Sequence, residues 1–271
     1  MELYEKGYEL VYEENFSGGL EGNKWVAIDE TVKAHSAKKD TDFVPTHVIT
    51  QGAAKHEGSN MHYCPENVAV KDGALVITAG RDGDGFMGGK AVCNGVVFAH
   101  GYVEIDVTLP KFQKGVWPVF SLESTAGTAY KAGFDIVAVH GDNGKNAYNM
   151  YISWLDEIYE TPHRINCLYG RPKRFYPDGD AKLIEGRHKF GVEITKEFII
   201  FYADGEEFNR IDVTPSTYAV LGRKSFLKFA AGLSIGLPNI EAPEDNADFP
   251  TEFKINSIKL YQNEGDLLVK R

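Results

Sequence analysis

The chain has 271 residues, of which 43% are hydrophobic and 12% aromatic, so it can bury a large core. Its formal net charge of −10 argues against binding to a nucleic-acid backbone, which requires a basic surface. No run approaches the roughly 18 apolar residues of a membrane span. We therefore expect a protein that binds neither nucleic acid nor a membrane.

Short β-rich runs follow one another along the chain, and no long stretch has the helical period. The dipeptides Asp72-Gly73 and Asp204-Gly205 predict tight hairpin turns, because Asp and Gly tolerate positive φ. This pattern predicts an antiparallel β-sandwich. No linker or repeat divides the sequence, so we predict a single domain over residues 1–271. The predicted strands are 67–78 (a hairpin), 102–109, 134–140, 148–154, 189–195, 198–202, 207–213 and 253–261.

The cysteines and the first residues bear on the compartment. Cys64, Cys93 and Cys167 are scattered and odd in number, which favours reduced thiols. The first residues contain neither a basic start nor an apolar core of a signal peptide. The expectation is a cytoplasmic protein, or a secreted one if a leader has been removed from the sequence.

Five motifs occur in an order that resembles glycoside hydrolase family 16, the family of laminarinases, lichenases, agarases and carrageenases. They are YELVYEENFSG (8–18), PENVAVKDGALVITA (65–79), HGYVEIDVTLP (100–110), HKFGVEITKEFIIFYADGEEF (188–208) and FPTEFKINSIKLYQ (249–262). The resemblance implies an all-β jelly-roll sandwich of two curved antiparallel sheets. The concave face of this fold would form a glycan cleft.

The stretch 115–141 carries the resemblance to the catalytic region. GVWPVF (115–120) is similar to the family's G-x-W-P-A-F-W strand, and the residues after it fall where the family has E-x-D-x-x-E or E-x-D-x-E. The resemblance equates Asp135 with the middle aspartate and Gly133 with the nucleophile. It equates the acid/base with Ala138 in a bulged strand, or with Val137 in an unbulged one.

Neither register supplies the pair of carboxyls that a retaining glycosidase uses. We prefer the bulged register, which places Gly133, Asp135, Ala138 and His140 on the cleft face and turns the polar His140 toward water. Asp135 and His140 are the candidate catalytic residues, because a carboxylate and an imidazole can exchange protons near neutral pH. Alternatively, Asp135 is a residual polar residue and His140 a histidine at a strand end.

Carboxylates on other strands or loops remain open as catalytic groups, namely Glu123, Asp156 and Glu157. Trp117 is a candidate substrate contact because the family's tryptophan at this position lines the cleft, although a core tryptophan is the alternative. The same role is predicted for Asn60, His62 and Tyr63, whose segment resembles a family subsite segment, and for Trp154 on the following strand.

The histidine spacings match no zinc signature, so scattered surface histidines are the expectation and no catalytic metal is predicted. The resemblance leaves a weak possibility of a structural calcium ion near Glu14. Asn256 stands where the family usually has an aspartate, and the missing charge would weaken calcium binding.

Three functions are compatible with these features. The first is a carbohydrate-active enzyme, hydrolase-like or lyase-like, with non-standard chemistry. The alternative is a catalytically inactive, lectin-like pseudoenzyme that binds a glycan. The third is a structural domain without a sugar ligand, which Trp117, Asn60 and Tyr63 argue against. A carbohydrate ligand is therefore expected.

Overall fold

A computed structural model describes residues 6–22, 24–28, 30–32, 61–124, 131–139, 148–156, 161–166, 185–212, 226–235, 243–266 and 268–270, and for residues 30–32, 124, 131–133, 148–156, 161–166, 208–209 and 270 the backbone alone. A four-residue helix, α1 (Gly19–Gly22), and a 3₁₀ turn (Pro65–Asn67) accompany the strands. The strands are β1 (Glu9–Glu14), β2 (Trp25–Ala27), β3 (Glu30–Val32), β4 (Met61–Tyr63), β5 (Val68–Lys71), β6 (Ala74–Asp82), β7 (Gly85–Cys93), β8 (Val96–Phe98), β9 (Gly101–Leu109), β10 (Val116–Ser124), β11 (Lys131–Val139), β12 (Tyr148–Asp156), β13 (Thr161–Asn166), β14 (Gly186–Ile194), β15 (Phe198–Ala203), β16 (Glu206–Asp212), β17 (Leu227–Ile235), β18 (Thr251–Gln262) and β19 (Leu268–Lys270).

Both predicted Asp-Gly hairpins are confirmed. Asp72 and Gly73 have φ values of 51° and 73° and join β5 to β6. Asp204 and Gly205 have φ values of 49° and 84° and join β15 to β16. Two consecutive residues of positive φ match the right-handed twist of the strands on either side.

Two antiparallel sheets form the sandwich, which confirms the predicted all-β fold. Sheet 1 has the order β5, β6, β18, β9, β14, β15, β16, with β1 beside the second half of β18. Sheet 2 has the order β13, β12, β11, β10, β17, β7, β2, with β8 and β19 beyond the end of β17. Among the described pairings, only that of β4 with β7 is parallel.

The core lies between the two sheets. In β9 the side chains alternate, and Val103, Ile105, Val107 and Leu109 are at most 3% exposed. From sheet 2, Phe229 of β17 stacks on Tyr12 of β1 at 5.8 Å and packs on Phe120 of β10 at 6.2 Å. These contacts fix which face of sheet 2 points toward sheet 1. Within the described ranges, no helix has the length and apolar character needed to cross a membrane.

Candidate functional site

Strand β11 has the bulged register that the sequence favoured. Asp135 pairs with Ser121 of β10. Between Asp135 and Ala138, β11 has two residues where the neighbouring strand β12 has one. The bulge shifts the alternation by one residue. Gly133, Asp135 and Ala138 therefore share one face of the strand.

This face is turned away from sheet 1, and we call it the distal face of sheet 2. Phe120 points toward sheet 1, and β10 pairs with β17 without interruption, so Trp117, Ser121 and Glu123 alternate to the distal face. The register brings Asp135 opposite Ser121 and Gly133 opposite Glu123. The site thus comprises two neighbouring strands, each with one carboxylate on the same face.

The distal face is largely covered. Asp135 is fully buried, Trp117 is 4% exposed and Ser121 is 2% exposed. Glu123 is the more open carboxylate, with 14% of its side chain exposed. The predicted contact between Trp117 and a sugar is not tested here and stays a prediction.

Tyr63 and His62 belong to opposite faces of β4. The hydroxyl of Tyr63 is 2.6 Å from that of Ser234 on β17, and Ser234 pairs with Trp117. Tyr63 is fully buried, whereas His62 is partly exposed. The structure therefore brings Tyr63 to the Trp117 end of the distal face, while the position of His62 is directed elsewhere.

The distal face also carries a charged pair that could not be identified from the sequence alone. The ammonium group of Lys90, on β7, is 3.7 Å from the Glu123 carboxylate. Lys90 pairs with Gly232 of β17, the strand that separates β7 from β10. Gly232 has no side chain and Ala230 only a methyl group, so the lysine can extend across β17 toward Glu123. The only sequence signal for this site is a charged residue in each of two otherwise apolar strands.

For three predicted site residues the structure describes no side chain. Asn60 and His140 lie outside the described residues. For Trp154 the structure describes the backbone alone. Trp154 pairs with Ala132, which alternates to the face opposite that of Gly133 and Asp135. This register places the Trp154 position on the opposite face of the strands from Asp135, and its contact with a substrate stays a prediction.

The Glu14 carboxylate, near which the sequence left a weak possibility of a calcium ion, accepts hydrogen bonds within the protein. It is fully buried and accepts hydrogen bonds from the Phe16 amide at 2.6 Å and the Trp25 indole at 3.1 Å. Asn256 donates to Asp106 and Thr108 instead of lying free for a metal. The calcium ion near Glu14 stays a weak possibility. The described residues contain no group of three or more His, Cys, Asp or Glu side chains that could hold a metal ion.

An open pocket of about 300 Å³ lies on the other side of the sandwich, on the outer face of sheet 1. Its walls include Tyr8, His100 and Phe198. Of the predicted site residues that the structure describes, none lines it. The pocket and the distal face of sheet 2 are therefore separate surfaces.

Comparisons with known proteins agree with this architecture. No protein-family model matches the chain, and no curated protein matches it. Solved structures do. The laminarinase from Flavobacterium sp. UMI-01 is 23% identical with a TM-score of 0.64, covering 94% of this chain and 100% of its own. The catalytic domain of an endo-1,3-β-glucanase (laminarinase) from Thermotoga petrophila RKU-1 is 20% identical with a TM-score of 0.62, covering 95% and 99%.

A third solved structure is similar over the same length and contains a sugar. A mutant of SCLam, a non-specific endo-β-1,3(4)-glucanase from family GH16, is 18% identical with a TM-score of 0.60, covering 94% of this chain and 95% of its own. It presents a 1,3-β-D-cellobiosyl-glucose at its active site. At these identities the likeness shows the fold alone. The chain has the jelly-roll fold of the laminarinases of glycoside hydrolase family 16.

Proposed function

We propose that this protein binds a carbohydrate chain on the distal face of sheet 2 and acts on it by chemistry that differs from that of family 16. The observation that carries the proposal is the face shared by Gly133, Asp135 and Ala138. If this strand corresponds to the catalytic strand of the laminarinases, Asp135 has no glutamate two or three residues away. The usual pair of carboxyls on one strand is then missing.

The fold supports a carbohydrate as the ligand, and the aromatic side chains of the face agree with it. Tyr63 is hydrogen-bonded to Ser234, and Ser234 is the register partner of Trp117, at one end of the face that contains Asp135. Tyr and Trp combine a large apolar surface with a polar group, which suits a ligand that has both apolar faces and hydroxyl groups. A β-1,3- or mixed β-1,3/1,4-linked glucan is the first ligand to test, since the structural neighbours are glucanases.

The test is incubation of the purified protein with β-linked gluco-oligosaccharides, anionic oligosaccharides and aryl glycosides. Products are read by mass spectrometry and binding by calorimetry. Asp135→Asn keeps the size of the side chain and removes its charge, and Asp212→Asn at the exposed end of β16 is the control. We expect Asp135→Asn to lose at least about tenfold in turnover, because acid/base groups contribute about 10²- to 10⁴-fold.

Two results would contradict the proposal. One is the absence of both binding and turnover with every carbohydrate. The other is turnover that Asp135→Asn and Trp117→Phe leave unchanged. His140→Ala belongs in the same series as a test of the second catalytic candidate, and a parallel series with EDTA tests for a metal.

The second candidate function is a lectin-like protein without catalysis. The observation in its favour is that Gly133 and Ala138, which share a face with Asp135, can neither attack a sugar nor donate a proton. Saturable binding that depends on Trp117, with no product from any substrate, would select this function over the enzyme.

A further inference from the structure

Glu123 stands directly across from Gly133, the residue that leaves a gap on the catalytic strand. The two are register partners on β10 and β11, and Ser121 and Asp135 are the next partners on the same face. Directly opposed residues in antiparallel strands have Cβ atoms about 4.5–5.5 Å apart. Gly133 has no side chain and supplies no carboxyl at this level of the sheet, so Glu123 is the residue of this register pair that carries one.

The negative charge of Glu123 lies beside the positive charge of Lys90, and both side chains are largely shielded from solvent. Lys90 has 9% and Glu123 14% of its side chain exposed, and their ion pair spans 3.7 Å. Taking two such charges out of water costs free energy that their attraction offsets only in part. An ion pair of this kind is therefore a poor device for stability.

A second observation comes from the residue between the two carboxylates. Ser121 lies between Glu123 and Asp135 in the register, and its side chain is on the same face. It is 2% exposed, and its hydroxyl has no hydrogen-bond partner within the described part of the chain. Buried hydroxyl groups usually have a partner. A bound ligand with hydroxyl groups would supply one.

We infer that Glu123 and Asp135 form a pair of catalytic carboxyls carried on two strands, which hydrolyses a glycosidic bond with inversion at the anomeric carbon. The inference rests on the proposed function and specifies its chemistry. The backbone positions of Glu123 and Asp135 are diagonal neighbours, which lie about 7–8 Å apart on adjacent antiparallel strands, so their side chains can place the carboxyl groups at a similar separation. Inverting glycosidases separate their carboxyls by about 6.5–9.5 Å, and retaining ones by about 5–5.5 Å.

In the proposed step Glu123, ionised beside Lys90, is the base and Asp135 is the acid. The oxygen of a water molecule bonds to the anomeric carbon while Glu123 accepts one of its protons. The bond from that carbon to the glycosidic oxygen breaks, and its electron pair stays on the oxygen, which takes the proton of Asp135. One water is consumed, and proton exchange with solvent returns both carboxyls to their starting states.

The test compares wild type with Glu123→Gln, Glu123→Ala and Asp135→Asn on the substrate found in the panel. Glu104→Gln is the matched control, because Glu104 forms a similar ion pair with Lys189 at 3.6 Å on sheet 1. We expect Glu123→Gln to lower turnover about 10²- to 10⁴-fold with binding retained, and Glu104→Gln to change neither. Added formate should restore part of the turnover of Glu123→Ala by occupying the vacated space. Proton NMR of the first product should show the inverted anomer.

Each other outcome identifies what failed. Turnover of Glu123→Gln within about threefold of wild type overturns the inference, and the proposed function stands if Asp135→Asn is still impaired. A retained anomer overturns the single displacement. Glycan binding without turnover in wild type overturns the inference and selects the lectin. Thermal unfolding of every variant checks that the fold is intact, and Glu123→Gln provides the result if Glu123→Ala does not fold.

Discussion

Glu193 and Glu123 are both largely buried carboxylates on β-sheets, but their surroundings differ. Glu193, on the outer face of sheet 1, is held by Tyr202 at 2.8 Å, Lys6 at 2.9 Å and Tyr8 at 3.2 Å. Glu123, on the distal face of sheet 2, is 3.7 Å from Lys90, beyond the range of a hydrogen bond.

The difference separates a structural carboxylate from one available for chemistry. Three close donors fix Glu193 and tie residues near the start of the chain to β14 and β15. Its partner Tyr202 packs edge-on against Tyr102 at 5.5 Å, which closes the cluster around it. Glu123 instead faces the Lys90 ammonium group across a wider gap. The carboxylate that we propose as the base thus lies beside a cation, whereas proton exchange at Glu193 would disrupt its hydrogen bonds to three donors.

The largest effect on stability should come from removing the structural carboxylate. Glu193→Ala leaves the hydroxyls of Tyr8 and Tyr202 without their acceptor, and we expect the free energy of unfolding to fall by about 2–3 kcal/mol. Urea denaturation measures the change. Glu197→Ala, at an exposed position of the same region, is the control and should stay within about 0.5 kcal/mol of wild type. A loss equal to that of the control would mean that Glu193 does not anchor this cluster.

Glu123→Gln should separate stability from activity. Glu123→Gln leaves the largely buried Lys90 ammonium group without this carboxylate, and the residual exposure of both side chains reduces the cost from that of a fully buried pair, so we expect a loss of about 2 kcal/mol in urea denaturation. This is no larger than the loss in Glu193→Ala, while the effect on turnover should be far larger. The reverse order, with a more destabilised Glu123→Gln, would make Glu123 the structural carboxylate of the two.

Alkaline pH should weaken the Glu193 cluster. Burial, and then the hydrogen bond to Glu193, raises the pKa of Tyr202 far above its ordinary value of 10.0. The neutral phenol is thus favoured in the fold, so its contribution is present below pH 10.0 and is lost as the pH rises further. Tyr202→Phe should be about 1 kcal/mol less stable than wild type at neutral pH. The gap should narrow above pH 10, and a constant gap in denaturation curves up to pH 11.5 would contradict this.

The smallest effect is expected at Asp106. Burial raises its pKa, but hydrogen bonds from Arg187 and Asn256 outweigh burial, and the net pKa lies below the ordinary 3.8. The ionised carboxylate is therefore favoured in the fold, and its contribution is present above that ordinary value and is lost as the pH falls through the folded one. Asp106→Asn should be slightly less stable than wild type at pH 7 and equal to it near pH 2. Urea midpoints at both pH values measure this, and a difference that persists at pH 2 would refute the assignment.

Much of the fold could be predicted from the sequence, because its signals are local. The Asp72-Gly73 and Asp204-Gly205 turns depend on two adjacent residues that tolerate positive φ. The alternation of β9 depends on a period of two residues. The bulge of β11 followed from a family resemblance and from one polar residue near the strand end. Each of these is settled within about ten residues of chain.

The candidate site was predicted only in part. The resemblance points to Asp135 and its face, but the sequence does not place Glu123 and gives no reason to single out Lys90. Trp117 is a predicted sugar contact, and its exposure of 4% in the structure is a quantity that the sequence does not reveal. Burial depends on what covers a side chain, and a strand pattern contains no information on that.

The sequence by itself determined many of the strands, the Asp-Gly turns and the faces of single strands, since steric limits on φ and the two-residue period act between near neighbours. The tertiary structure decided which strands are adjacent. Lys90 meets Glu123 only because β17, more than 100 residues later in the chain, pairs with both β7 and β10. Tyr63 meets Ser234 across 171 residues for the same reason. Sheet order and register result from burial of the whole core, and they bring together the side chains on which the proposed chemistry depends.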